Sequence, residues 1–156
     1  MCAIAGFYNH EADFKRKEVY CRSVLEAMNQ AQRRRGPDDS GTYLDSHFGL
    51  AHVRLQIVDL ETGHQPMIRP KGDHKVGIVY NGELYNMPEL RSVLSDRGFS
   101  FETKSDTEVL LLAYLAWGPE FVRKINGIFS MAIMDTEMNR LLLYRDRSGI
   151  KPLFYT

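Results

Sequence analysis

Apolar and polar positions along this chain change period several times, and each change marks an element. Residues 2–8, CAIAGFY, are apolar almost without interruption and predict a strand with both faces largely buried. Val19, Val24, Leu25, Met28 and Ala31 fall close to one helical face, which predicts a helix over about 17–33. The polar run RRRGPDDSG then reads as a loop, punctuated by Gly36-Pro37 and Ser40-Gly41. Strands are predicted at about 41–44, 47–55 and 75–81. NMPELRSVLSDRG reads as a helix, with Pro88 tolerated in the first turn and Gly98 suited to the position after the last. FSFE reads as a short strand. Ser105 and Glu108 have capping-box spacing ahead of the apolar helix VLLLAYLAW, which Gly118-Pro119 ends before a shorter helix starts. GIFSMAIMD and RLLLYRD form a hairpin across TEMN, and KPLFYT reads as the start of a final strand.

Paired strands with irregularly placed helices lack the strict alternation of a doubly wound sheet. They predict an α+β domain with helices covering mainly antiparallel sheets. No repeat, low-complexity tract or linker divides the chain, so 1–156 reads as one domain. An apolar strand without a turn or polar tail after it suggests a piece of something longer. At 156 residues the chain is long enough to bury a sizeable core, and its 44% hydrophobic content excludes disorder.

Charge removes several classes of partner. Lys plus Arg and Asp plus Glu are each 20, so the net charge is zero and no global attraction for nucleic acid or an anionic membrane exists. No segment has the roughly 20 apolar residues of a membrane span, and no signal peptide is visible. Cys2 and Cys21 form no disulfide framework, which points to a reducing, cytoplasmic setting.

The candidate chemistry begins with what is missing. No phosphate loop, dinucleotide fingerprint, HExxH or CxxC knuckle is present, and the five histidines are scattered, so no metal site is expected. Cys2, directly behind Met1, has two readings. It is a small buried strand residue, or it is a nucleophile whose base is its own α-amine once Met1 is removed. Such amines titrate at about 7.7–8.0 and can accept a proton near neutral pH. Asn81-Gly82 reads as a hairpin turn or as an oxyanion hole built from a side-chain amide and a backbone N–H. Arg54 is a surface strand residue or a fork for a substrate carboxylate. Asp106 answers the dipole of the helix behind Ser105 or receives a substrate ammonium. Together the four suit an amino acid with a side-chain acyl group.

MCAIAGF, RRGPDDSG, AHVRLQIVD…GHQPM, YNGELYN, SDTEVLLLAY, NGIFSMAIMD and RDRSGIKPLFY follow one another along nearly the whole chain. In that order they resemble the class II glutamine amidotransferase domain, an N-terminal-nucleophile hydrolase, most of all that of glutamine-hydrolysing asparagine synthetases. The resemblance implies an αββα sandwich and a glutaminase whose partner substrate is L-glutamine. It implies Cys2 as the mature N-terminal nucleophile, forming a thioester and releasing ammonia, with Asn81 and Gly82 as the oxyanion hole. Arg54 matches the residue holding the substrate α-carboxylate, and Leu55, Gln56, Ile57 and Val58 continue along the pocket wall. Glu83 and Asp106 line the pocket, Asp106 meeting the α-amino group. No cofactor is implied in this chain. ATP and Mg²⁺ are expected for a C-terminal synthetase domain, absent here, which makes asparagine from aspartate with the ammonia. A homodimer is also admitted by the resemblance.

Three departures qualify the likeness. Arg34 stands where the family usually has histidine before Arg35-Gly36-Pro37-Asp38. The chain stops before the family's domain is complete, so the glutaminase is expected to be truncated. Met1, if retained, would lock the Cys2 amine in a peptide bond. Two other readings stay open here. One gives the ammonia to another acceptor, a sugar precursor or a peptide carboxylate. The other is a non-catalytic scaffold.

Overall fold

The computed structural model describes residues 2–55 and 63–156. Two antiparallel sheets lie face to face, with one helix outside the first and two outside the second. The first sheet has β1 (Ala3–Tyr8), β2 (Asp39–Leu44) and β3 (Phe48–Arg54) in the order β1-β3-β2. The second has β4 (Met67–Lys71), β5 (His74–Leu84), β6 (Gly127–Asp135) and β7 (Arg140–Arg145) in sequence order. α1 (Glu18–Gln32) covers the first sheet, while α2 (Met87–Asp96) and α3 (Asp106–Trp117) cover the second. This is an α+β fold with αββα layering.

Strand alternation builds the three apolar layers. On β5, Val76, Ile78 and Tyr80 pack towards α3, whereas Val79 faces the other sheet. On β6, Met131 and Ile133 join the helical layer, and Ala132 and Met134 the layer between the sheets. Phe48 and Leu50 of β3 meet them there, while Ala51 turns outwards to Leu25 and Cys21 of α1. α3 is apolar all round because sheet, α2 and the following 3₁₀ turn (Gly118–Lys124) enclose it.

The helix ends follow from local sequence. The Ser105 hydroxyl accepts the Glu108 N–H at 3.3 Å, as an N-cap should. Glu108, however, reaches past the cap. Its carboxylate accepts the N–H groups of Glu102 and Thr103 and a 2.7 Å hydrogen bond from Arg69. α2 closes with Gly98 at φ 88°, its N–H on Ser95 O and the Phe99 N–H on Leu94 O, the paired bonds of a Schellman motif.

Three expectations change. FSFE is no strand: Phe99 and Phe101 pack on the helical core layer, and the amides of Glu102 and Thr103 go to Glu108 rather than to a sheet neighbour. KPLFYT forms no strand either, although Leu153 to Thr156 lie along a groove beside β1. An additional strand, β4, holds the edge beside β5, and its Pro70 is tolerated because an edge strand has one unpaired side.

Candidate active site

Cys2 sits one residue before the Ala3–Val53 pair of β1 and β3, at one end of the space between the sheets. Its thiol is half-buried and lies 3.8 Å from the Leu55 carbonyl oxygen. Arg54, the last residue of β3, is 5% exposed. The loop before β2 is pressed against it: a Cβ on Gly36 would stand 2.4 Å from the Arg54 nitrogen, so only glycine fits. In the same loop Arg35 Nε approaches the Cys2 carbonyl at 3.5 Å.

Asn81-Gly82 is not a turn. Both residues lie inside β5, Asn81 paired with Ser130 and Gly82 with Phe129 of β6. The pairing leaves no room beyond Gly82 Cα, because a Cβ would meet the Ile128 oxygen at 2.3 Å. β4 begins opposite Ile78, so the later part of β5 has an edge that no strand among the described residues covers. Tyr80 directs its N–H to that edge, onto Gln65 Oε1 at 2.7 Å. Backbone N–H groups two residues apart point to the same side of a strand. Gly82 therefore points its N–H to the same edge.

That edge is the floor of a pocket of about 330 Å³. Cys2, Arg54, Leu55, Asn81, Gly82, Glu83 and Asp106 all line it. Gln56, Ile57 and Val58 lie outside the described residues, as does Met1. Asn81 is buried, Glu83 is exposed, and Asp106 is half-buried as the first residue of α3. Burial raises the Asp106 carboxyl above its usual range, although the neighbouring Tyr80 hydroxyl and the amides of Thr107 and Leu84 pull it back in part. Burial, followed by the charges of Asp106 and Glu83, keeps the Tyr80 phenol protonated.

Gln65, Tyr80, Thr107 and Lys151 also line the pocket without any signal in the sequence, and so does Ser105, which the sequence marks only as a helix cap. Gln65 is buried and ties the two walls together, accepting from Tyr80 and donating to Thr107 Oγ1 at 3.1 Å. Lys151 is delivered by the turn after β7. Asp146 organises that turn, accepting the N–H groups of Phe129, Ile150 and Lys151. Burial would raise the Asp146 carboxyl, but these amides outweigh it and hold the group below its usual range. Nothing local in RDRSGIKP announces a pocket residue, because the turn reaches the site only through packing on β6.

His52, one layer deeper, is 1% exposed and bonds the Tyr80 carbonyl through Nε2 at 3.1 Å. A carbonyl only accepts, so Nε2 carries the proton. Burial lowers its pKa to about 4, which keeps the ring neutral. Among the described residues no group of three or more His, Cys, Asp or Glu side chains could hold a metal ion. None of their helices is long and apolar enough to cross a membrane.

Comparison with known proteins places the sequence in a family. The model of the glutamine amidotransferase domain matches residues 1–156. Asparagine synthetase [glutamine-hydrolyzing] 3 of Bacillus subtilis (strain 168) is 44% identical over 156 residues, 100% of this chain and 25% of that protein. Asparagine synthetase B [glutamine-hydrolyzing] of Escherichia coli (strain K12) is 40% identical over 154 residues, 99% of this chain and 26% of that protein. The chain thus spans about a quarter of the length of these curated relatives. Among solved structures, the glutamine phosphoribosylpyrophosphate amidotransferase of B. subtilis, complexed with ADP and GMP, superposes with a TM-score of 0.57 at 24% identity. That match covers 70% of this chain and 25% of the other, and it supports the layered fold. Sequence family and fold agree: the chain belongs to the glutamine amidotransferase domain family.

Proposed function

We propose that this domain hydrolyses the side-chain amide of L-glutamine through a cysteinyl thioester. The ammonia then serves ATP-dependent synthesis of asparagine from aspartate by a C-terminal synthetase domain. The observation that carries the glutaminase reading is the convergence, in one pocket, of Cys2, Arg54, Asn81, Gly82 and Asp106 from four separated stretches of chain. The relatives' names, which join glutamine hydrolysis to asparagine synthesis, support the choice of acceptor.

The chemistry follows from the groups present. With Met1 removed, the Cys2 amine takes the thiol proton as the sulfur attacks the amide carbon. Negative charge grows on the amide oxygen, where the Asn81 amide and the Gly82 N–H are the donors. The tetrahedral adduct collapses to a thioester as the leaving nitrogen takes up the proton and departs as ammonia. Water, deprotonated by the same amine, attacks the thioester and frees glutamate. Arg54 grips the substrate α-carboxylate with its fork, and Asp106 accepts from the α-ammonium. Both contacts fix the amide against Cys2 without touching it, which is the positional part of catalysis.

The test is an intact mass on the expressed chain, followed by glutamate and ammonia release from L-glutamine. A chain lacking Met1 is expected to turn over, and its Cys2→Ala variant is expected to keep its melting curve and lose all turnover. Hydrolysis at the parent rate by Cys2→Ala, or by a chain still carrying Met1, would sink the mechanism.

A further inference from the structure

The pocket takes its two ends from different layers. Asn81 and Gly82 belong to β5, whereas Asp106 opens α3. Gln65 joins them. It is 4% exposed, and its side-chain amide is bonded at both atoms. Oε1 accepts the Tyr80 N–H at 2.7 Å, and Nε2 donates to Thr107 Oγ1 at 3.1 Å. Tyr80 is the residue before Asn81, and Thr107 is the residue after Asp106. Each end of this bridge therefore lands one residue from a group that lines the pocket. The Tyr80 hydroxyl, beside the Asp106 carboxyl, crosses the same gap.

The main chain of Gln65 is held as well. A Cβ on Gly41 of β2 would stand 2.2 Å from the Gln65 carbonyl oxygen, so the first sheet presses directly on this residue. Next to it, His64 Nδ1 lies 2.7 Å from Asp39 Oδ2 of β2. One buried residue is thus fixed against β2, β5 and α3 at once. An amide accepts only at its oxygen and donates only at its nitrogen, so these two partners allow it one orientation.

Spacing matters because of what the pocket has to span. Glutamine carries its charged groups and its reacting amide at opposite ends of two methylenes, and asparagine has one methylene fewer. Arg54 and Asp106 hold the charged end, while Cys2, Asn81 and Gly82 meet the amide. The distance between β5 and the first turn of α3 therefore decides which length brings the amide carbon to the sulfur. A misplacement of about 1 Å costs as much as about 10²-fold in rate. One methylene is worth roughly 10–200-fold in discrimination.

We propose that Gln65 and Thr107 are positioning residues that set this distance, and through it make the pocket select L-glutamine over L-asparagine. The assignment rests on the glutaminase reading and adds to it the residues that fix substrate length. Neither has to touch the substrate, because each acts through the backbone next to a group that does.

The experiment measures ammonia release from L-glutamine and from L-asparagine by the full chain with Met1 removed. The parent, Thr107→Val, Thr107→Ser and Gln65→Met are compared. Thr107→Val keeps the shape of the side chain and removes the acceptor of Nε2. It should lower kcat/KM on glutamine roughly tenfold and leave that on asparagine within about twofold, so that the preference for glutamine falls at least about fivefold. Thr107→Ser keeps the hydroxyl and should restore the parent's preference. Gln65→Met frees both ends and should lose the preference at least as far. A loss shared equally by both substrates leaves the ratio where it was and overturns the proposal. So does a Thr107→Ser chain with the Thr107→Val ratio, a Thr107→Val chain that does not fold, or asparagine turnover too slow to register in every chain. If Gln65→Met does not fold, Thr107→Val decides alone. A parent that hydrolyses neither amide overturns the glutaminase reading and the bridge with it. A parent active on glutamine beside a Thr107→Val chain of unchanged ratio overturns the bridge alone.

Discussion

The Tyr80 N–H donates to Gln65 Oε1 at 2.7 Å, so a side chain stands where a neighbouring strand would otherwise continue. This bond lets β5 keep an uncovered edge inside the protein. The edge leaves the Gly82 N–H facing the pocket rather than a sheet neighbour. Replacing Gln65 by alanine leaves a buried amide without its acceptor, at a cost of about 1–3 kcal/mol. A lowered melting temperature is expected, together with a kcat that falls more than KM rises. A melting curve identical to the parent's would show that Gln65 does not hold this edge.

Gly82→Ala tests the sheet contact itself. The new Cβ would lie 2.3 Å from the Ile128 oxygen and 2.8 Å from Phe129 Cα, both backbone atoms that cannot swing aside. Overpacking of this kind costs about 1–3 kcal/mol. Denaturant unfolding should show the midpoint falling at constant slope, and glutamine turnover should fall with it. A variant as stable as the parent would mean that β5 and β6 separate more easily than their register suggests.

Glu108 is 0% exposed and takes hydrogen bonds from two amides, the Thr103 hydroxyl and Arg69. Glu108→Gln cannot accept them all and leaves Arg69 only its exposed partner Glu102. A loss of about 2–3 kcal/mol is expected from unfolding curves, less than for a fully buried pair because Arg69 reaches solvent. Since Glu108 shapes the segment that presents Ser105 and Asp106, KM for glutamine should rise as well.

His52 predicts how stability depends on pH. Its folded pKa, about 4, lies below the ordinary 6.5, so between those values the unfolded chain binds more protons than the folded one. Stability is then complete above about pH 6.5 and falls with pH down to about 4, by about 3 kcal/mol. Burial raises the Glu108 and Asp146 carboxyls, but hydrogen bonds hold both below their ordinary 4.5 and 3.8, so their contributions are lost only further into acid. His52→Gln should flatten the upper part of the curve and leave the acid limb. Denaturant midpoints at pH 7, 6, 5 and 4 for parent and variant would check this, and a His52→Gln curve with the parent's slope from 7 to 4.5 would rule it out, since the raised Asp106 carboxyl, which acts in the opposite sense, is common to both.

The strands at the chain start and around β3 and β5, the β6–β7 hairpin, the three helices and the end signals of α2 and α3 were legible in the sequence. Each depends on residues a few positions apart: Ser105 caps with Glu108, Gly98 closes α2, and alternation sorts β6 into two faces. Cys2, Arg54, Asn81, Gly82 and Asp106 could be singled out by residue type and by resemblance, but each kept a plain alternative.

What only the tertiary structure decided depends on neighbours that are distant in sequence. Asn81-Gly82 has turn-forming chemistry, yet pairing with Ser130 and Phe129 draws it into a strand. FSFE has strand composition, yet the amides of its last residue, Glu102, and of Thr103 find a carboxylate before they find a sheet. β4, carrying a proline, exists only because β5 offers it an edge. Gln65, Tyr80 and Lys151 reach the pocket by packing across layers, and no local pattern encodes which side chains meet when two sheets close on each other.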